Sequence, residues 1–309
     1  MAAEEMNPRA IWANPILRQA RMAFINKILY PVDFSSSCIA MAHYVRRAAT
    51  LYGAKVSLIH VVDPVSFSGF ALVARPVSEA VADFLEIGRE RLDAFLADEL
   101  PVGQCSRILA TGDPATEIAR VARDEGFSMI IMPTHAGRFR QMLLGSTTAK
   151  VLNDADCPVL TSTHAETIAP RPVEHRKWLC AIGLGSSSER LLRFAARAAA
   201  QAHGEFTIVH AVQAGDPGLP IELDITEEIR SAERRQAEER IAELQRIAGS
   251  DARVRIAAGP VREALLEAAR ESGADALLIG RSPRPGALGR LRDLTYVMVR
   301  DSPFPVLSV

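Results

Sequence analysis

Aromatic side chains make up only 6% of this 309-residue chain, which leaves little for the base-stacking platforms of single-stranded nucleic-acid binders. Neither sign of charge is in excess: 36 Lys+Arg stand against 37 Asp+Glu, which argues against both a basic nucleic-acid surface and a polyacidic tail. The four cysteines, Cys38, Cys105, Cys157 and Cys180, form no CxxC pair, so they read as reduced thiols without metal-ligand spacing. No apolar run approaches the roughly 18–20 residues that span a bilayer. The opening MAAEEMNPRA lacks the basic and apolar regions of a secretory signal. Together these absences predict a cytoplasmic protein that engages neither nucleic acid nor membrane and holds no metal through its own side chains.

What is present is ordinary globular material, 48% hydrophobic and 24% charged, long enough for two domains. Self-comparison shows how it is organised. Lys27-Ile28-Leu29-Tyr30-Pro31-Val32 recurs 150 residues later as Lys177-Trp178-Leu179-Cys180-Ala181-Ile182, each followed by a serine cluster. Ser57 to Val62 matches Thr207 to Val212 at the same offset of 150. Thr111-Gly112-Asp113-Pro114 then matches Ala258-Gly259-Pro260, and Cys157-Pro158-Val159-Leu160 matches Phe304-Pro305-Val306-Leu307, 147 residues on. The chain therefore divides into an extension (1–25), a first unit (26–163), a linker containing Pro170 and Pro172 (164–176) and a second unit (177–309).

Within the first unit, apolar runs at 26–32, 55–62, 106–110, 129–132 and 158–162 read as strands. Helical spacing covers 36–52, about 79–99, 114 to about 125, and about 146–153. Gly53 closes the first helix, and Asp113 with Pro114 caps and opens the third. Strands that are continuously apolar and separated by helices imply a parallel sheet covered on both faces. Right-handed crossovers make it doubly wound. The second unit repeats the pattern. Its charged helix near 226–246 keeps an apolar stripe through Ile229, Ala232, Ala237, Ile241 and Leu244, so its charges read as a solvated face.

Ligands of such sheets bind beyond the carboxyl ends of the strands, where the strand order reverses. With order 3-2-1-4-5, that crevice brings Asp33, at the end of the first strand, toward Pro133-Thr134-His135, after the fourth. The following loop runs through Ala136, Gly137, Arg138 and Arg140 to Gly145-Ser146-Thr147-Thr148. A glycine and hydroxyl residues opening a helix present backbone N–H groups and the positive end of a helix dipole, which suits phosphate. The plainer reading is that Ser146 only caps the last helix.

These residues together resemble the universal stress protein family. Both repeats take part, from 26 to 309. The resemblance rests on Lys27 to Ser35, His60-Val61-Val62-Asp63, Gly112-Asp113-Pro114, Met132-Pro133-Thr134-His135, Gly145-Ser146 and Cys157-Pro158-Val159. It implies two five-stranded sheets of the adenine nucleotide alpha hydrolase-like type, a non-enzymatic stress-linked regulatory role, and ATP, with magnesium, in the first unit. The implied site is Pro31, Val32, Asp33 beside adenosine, the Val61 backbone at adenine, the loop residues Pro133, Thr134, His135, Ala136, Gly137 and Arg138, and Gly145, Ser146 and Thr147 at phosphate. Pro133 and Ala136 stand where the family's signature has its first two glycines, and the last spacing is one residue short. In the second unit Gly183 replaces the aspartate and Arg292-Asp293 occupies the place of Gly145-Ser146, so that unit reads as a structural partner.

Two other readings stay open. One is a non-nucleotide assembly or small-ligand protein, with the apolar Phe67 to Leu72 stretch of the 63–78 connection as a contact surface or lid. The other is a weak ATPase using His135 as base, for which no GK[ST] loop, HExxH or GxSxG is present. His60 and His210, in equivalent strands, read as satisfied strand-end residues. The last strands, at Val159 and Val306, would each leave an open edge. The resemblance implies that they pair within the chain as a pseudo-dimer, with a further homodimer.

Overall fold

The computed structural model describes residues 24–64, 77–134, 144–162, 176–212, 227–281 and 293–309. The first half runs β1 (Lys27–Pro31), α1 (Ser36–Tyr52), β2 (Lys55–Val62), α2 (Val77–Ala94), β3 (Ser106–Thr111), α3 (Pro114–Asp124), β4 (Met129–Pro133), α4 (Ser146–Asp154) and β5 (Val159–Ser162). The second runs β6 (Lys177–Ala181), α5 (Ser188–Ala202), β7 (Glu205–Val212), α6 (Glu227–Ala248), β8 (Arg253–Ala258), α7 (Val261–Glu271), β9 (Ala276–Ile279), α8 (Asp293–Asp301) and β10 (Val306–Ser308).

The helix starts and stops follow local chemistry. Ser35 caps α1 by accepting the Cys38 N–H, and Gly53, at φ 62°, ends it in the left-handed conformation that a glycine adopts without a Cβ clash. Asp113 accepts the N–H of Thr116 at the start of α3, with Pro114 in the first turn. That hydrogen bond, seconded by the Thr116 hydroxyl and by Lys150 of α4, draws the Asp113 carboxyl down to about 2. One capping residue thus ties α3 to α4. β4 has all five residues buried, as a strand covered on both faces requires.

The ten strands form one sheet, ordered β3-β2-β1-β4-β5-β10-β9-β6-β7-β8. Each half has the expected order and parallel pairing; the halves meet where β5 and β10 run antiparallel, Val159 opposite Ser308 and Thr161 opposite Val306. The strand edges left open by sequence reasoning are therefore closed on each other inside the chain. One face of the sheet carries α1, α2, α5 and α6 over a core that includes Tyr30, Val45, Leu92, Trp178, Leu192 and Ile241. The opposite face carries α3, α4, α7 and α8 over Ile130, Val151, Leu277 and Val299.

Side chains reinforce the junction. Gln201 of α5 accepts the Ile25 N–H and donates to the carbonyls of Ile25 and Tyr52. Phe24 packs on Phe194 with ring centroids 5.2 Å apart. Arg281, just after β9, is only 3% exposed and reaches across to α4, donating to the carbonyls of Leu152, Ala155 and Cys157.

Candidate functional site

The strand order of the first half reverses between β1 and β4, and a cavity of about 150 Å³ lies there, at the carboxyl ends of the strands. The end of β1 supplies Pro31, Val32 and Asp33, and β2 supplies His60 and Val61. Pro133 and Met132 come from β4, Ile118 and Pro114 from α3, and Thr147 and Thr148 from α4. Cys38, in the first turn of α1, completes the wall.

The polar backbone at this cavity follows from strand geometry. Ile59 gives its carbonyl to the Val32 N–H at 2.9 Å, so that edge of β2 faces β1. Residues two apart on a strand turn their N–H and C=O to the same edge. Val61 therefore presents both groups just past Pro31, where β1 has ended. This is a donor and an acceptor side by side, a pattern that suits the edge of a purine. Val32, Met132 and Ile118 give the slot apolar walls.

At the other end stands the amino terminus of α4. Gly145 is its N-cap, at φ −56° and without a side-chain cap, and Ser146 is the first helical residue. Sequence reasoning placed the cap on Ser146; the structure moves it back by one. The Gly145 N–H is occupied by the Thr134 carbonyl at 3.1 Å, so the donors of this helix end are the first-turn N–H groups that follow it. Thr148 anchors the turn by donating its hydroxyl to the Pro133 carbonyl at 3.2 Å.

Of the residues expected at the site, Pro31, Val32, Asp33, Val61, Pro133 and Thr147 line the cavity. Thr134 does not: it is 1% exposed and its hydroxyl donates to the Ser162 carbonyl. Gly145 and Ser146, the N-cap and first residue of α4, are not among the residues that line the cavity. His135, Ala136, Gly137 and Arg138 lie outside the described residues, as do Arg140 and most of the 63–78 connection. Sequence reasoning missed Cys38, His60, Pro114, Ile118, Met132 and Thr148 as lining residues. Met132 and Thr148 each adjoin an expected residue and were within reach. Cys38 and Ile118 are brought in only by the packing of α1 and α3.

Burial favours the neutral forms of the Cys38 thiol and the His60 imidazole at this cavity. Burial, with Asp33 nearby, pushes the Cys38 thiol up to about 12, so it is no thiolate nucleophile. Its Sγ donates to the Asp33 carboxylate at 3.2 Å, and the same oxygen accepts the Ser35 N–H. The Tyr30 hydroxyl donates to the Cys38 carbonyl. His60 places Nδ1 2.8 Å from the Val32 carbonyl, as His210 does toward Ile182 in the second half, so both fill the strand-end role expected of them. Among the described residues no group of three or more His, Cys, Asp or Glu is placed to hold a metal ion.

Burial lowers both His60 and His43 below the ordinary histidine value of 6.5. Below that value the unfolded chain takes up protons that the folded chain refuses, so stability is complete above it and falls as the pH is lowered through the folded values. Urea midpoints measured from about pH 7.5 down to about pH 5.5 should therefore decline, and His60→Gln with His43→Gln should flatten the decline. An equally steep profile in the double variant would assign the effect to other groups.

The sequence model of the Universal stress protein family matches this chain twice, over residues 25–162 and 174–309. The chain belongs to the universal stress protein family. It is similar to a universal stress protein of Methanocaldococcus jannaschii, 30% identical over 149 residues that cover 43% of this chain and 92% of that protein. A second from the same organism is 32% identical over 151 residues, covering 48% of this chain and 86% of that protein. Among solved structures, a universal stress protein from Archaeoglobus fulgidus superposes with a TM-score of 0.65 at 21% identity, covering 92% of this chain and 98% of that one, a likeness of fold.

The second half of this tandem universal stress protein uses the corresponding place differently. Where Thr134 follows β4, Arg281 follows β9, and its guanidinium is committed to α4 of the first half. Gly183 and Gly185 have no heavy atom within 4 Å of where a Cβ would stand, so neither glycine is required by close packing. No described helix is long and apolar enough to cross a membrane.

Proposed function

We propose that this chain is a nucleotide-responsive binding protein with one adenine-nucleotide site, in its first half, and that the second half serves as its structural partner. The observation that carries this reading is the convergence of the Val61 edge, the apolar slot and the amino terminus of α4 on one cavity at the strand reversal. The slot takes the base, Asp33 stands at its mouth for the ribose, and the first turn of α4 takes the phosphates. Magnesium, where present, arrives on the phosphates. The described residues fit such a group in kind: a paired donor and acceptor for a purine edge, and N–H groups for an anion.

The reading is one of binding rather than catalysis. Cys38 is held as a thiol, His60 is turned to a backbone carbonyl, and neither stands at the phosphate end. We take 26–163 and 177–309 as the two units, 164–176 as the linker and 1–25 as an extension, in a cytoplasmic protein. With β5 and β10 already joined, a homodimer would form on other surfaces.

The test is the nucleotide content of freshly purified protein by acid extraction and chromatography, followed by a titration with ATP and magnesium. Near-stoichiometric adenine nucleotide, or saturable ATP binding, supports the site. Empty protein that ignores millimolar ATP would overturn it in favour of an assembly or small-ligand role.

A further inference from the structure

Cys38, buried in the first turn of α1, lines the cavity at the strand reversal. Its backbone is fixed at both ends: the N–H donates to the Ser35 hydroxyl at 3.4 Å, and the carbonyl accepts the Tyr30 hydroxyl. Its Sγ stands 3.2 Å from Oδ1 of Asp33 and 3.8 Å from the Pro31 carbonyl. The single S–H proton therefore goes to the nearer, charged acceptor. Burial and the Asp33 charge, which push the thiol up to about 12, keep that proton in place.

That contact governs how Asp33 presents its carboxylate. The last torsion of an aspartate joins an sp³ to an sp² carbon and is broad, so the side chain alone does not choose which oxygen faces a ligand. Asp33 is exposed, so packing does not choose for it either. Oδ1 accepts the Ser35 N–H at 3.0 Å as well as the Cys38 thiol. Two donors on one oxygen, one from the loop and one from the helix, hold the group in one orientation. Among the described residues no donor meets Oδ2, which stays available to a ligand with a hydroxyl to give.

The fold does not require this pair. At the offset of 150, Asp33 and Cys38 correspond to Gly183 and to Ser188, the first residue of α5. Ser188 is 1% exposed, and its hydroxyl has no hydrogen-bond partner among the described residues. The second half has a donor at this place and no acceptor, yet it builds the same strand order. Donor and acceptor occur together in the first half, at the cavity proposed for nucleotide.

We infer that Cys38 is a positioning residue, a role that rests on the nucleotide reading of this cavity, and that it makes the site selective for nucleotides with an intact ribose diol. By holding Oδ1, the thiol leaves Oδ2 as a fixed acceptor for a ribose hydroxyl. A deoxyribose leaves that charged acceptor without its donor, and a site built around such a bond rejects the analogue lacking it. With the thiol removed, only the Ser35 N–H orients the carboxylate, and the preference for the diol weakens.

The probes are ATP, 2′-deoxy-ATP and 3′-deoxy-ATP, each titrated calorimetrically with magnesium into the full chain. The wild type is expected to bind ATP at least about tenfold more tightly than the weaker of the two analogues. Cys38→Ala should lower that ratio at least about threefold, while Cys38→Ser, which keeps a donor, should retain most of it. Should Cys38→Ala fail to fold, Cys38→Val fills the space without a donor and is expected to act alike. Equal binding of ATP and both analogues by the wild type would leave the nucleotide site standing and overturn the selectivity. A folded Cys38→Ala or Cys38→Val that weakens all three nucleotides in proportion would make Cys38 a packing residue and overturn its role. Binding of none of the three would overturn the nucleotide site and this role together.

Discussion

Replacing Arg281 by leucine is expected to lower the unfolding free energy of the chain by about 3 kcal/mol, more than most single changes in a protein. The guanidinium is buried and donates to three carbonyls: Leu152 at 2.6 Å, Ala155 at 3.1 Å and Cys157 at 2.7 Å. Leu152 lies in the last turn of α4, where carbonyls have no intrahelical partner and where the helix dipole favours a cation. Leucine fills much of the space but strands these acceptors, and each buried acceptor left without a donor costs roughly 1–3 kcal/mol unless water reaches it. Lysine keeps the charge on a single point and does not serve three divergent carbonyls, so Arg281→Lys should recover only part of the loss. Urea unfolding followed through the fluorescence of the buried Trp178 is the measurement. A midpoint within experimental error of wild type would show that the carbonyls find other partners and that the arginine is dispensable to the junction.

Gly145→Asp is expected to abolish nucleotide binding, by about a hundredfold or more, without destabilising the protein. Gly145 sits at φ −56°, which any residue adopts, so the substitution introduces no backbone strain. Aspartate is a favoured N-cap, and its carboxylate would accept from the N–H groups of the first turn of α4. Those are the donors proposed for phosphate. The substitution thus consumes them and places a negative charge against the ligand, while the helix gains a few tenths of a kcal/mol. Gly145→Asn separates the two effects, since it offers the same cap without the charge and should bind at intermediate strength. Arg292→Ala, at the matching place of the second half, should leave binding intact. If Gly145→Asp bound ATP as the wild type does, the phosphates would have to rest elsewhere, and the asymmetry between the halves would fail with them.

The elements of the fold were legible because their signals are local. Continuous apolar runs marked the strands, Gly53 and the Asp113-Pro114 pair marked helix ends, and the offset repeat marked the duplication. The site was legible in part. Asp33 and Thr147 could be set near one crevice because topology fixes what meets at a strand reversal, whereas Val61 came only from the family resemblance. Thr134 could not, because its hydroxyl turns to Ser162 on the neighbouring strand, a choice made by sheet packing rather than by its place in the chain. The sequence alone gives Arg281 no structural role. Its partners lie 124 to 129 residues away across the junction, and no spacing within the sequence points to them.

The pairing of β5 with β10 rests on only three residues from each strand, yet it is made between parts of one molecule. An association of that size between separate chains would come and go with dilution, whereas a tether holds its partner at an effective concentration that dilution does not change. The two halves therefore keep each other's company at any expression level, in a fixed ratio of one to one. Single-unit proteins with a compatible edge find that seat taken. Duplication in this chain has turned a choice of partner into a permanent feature of the molecule.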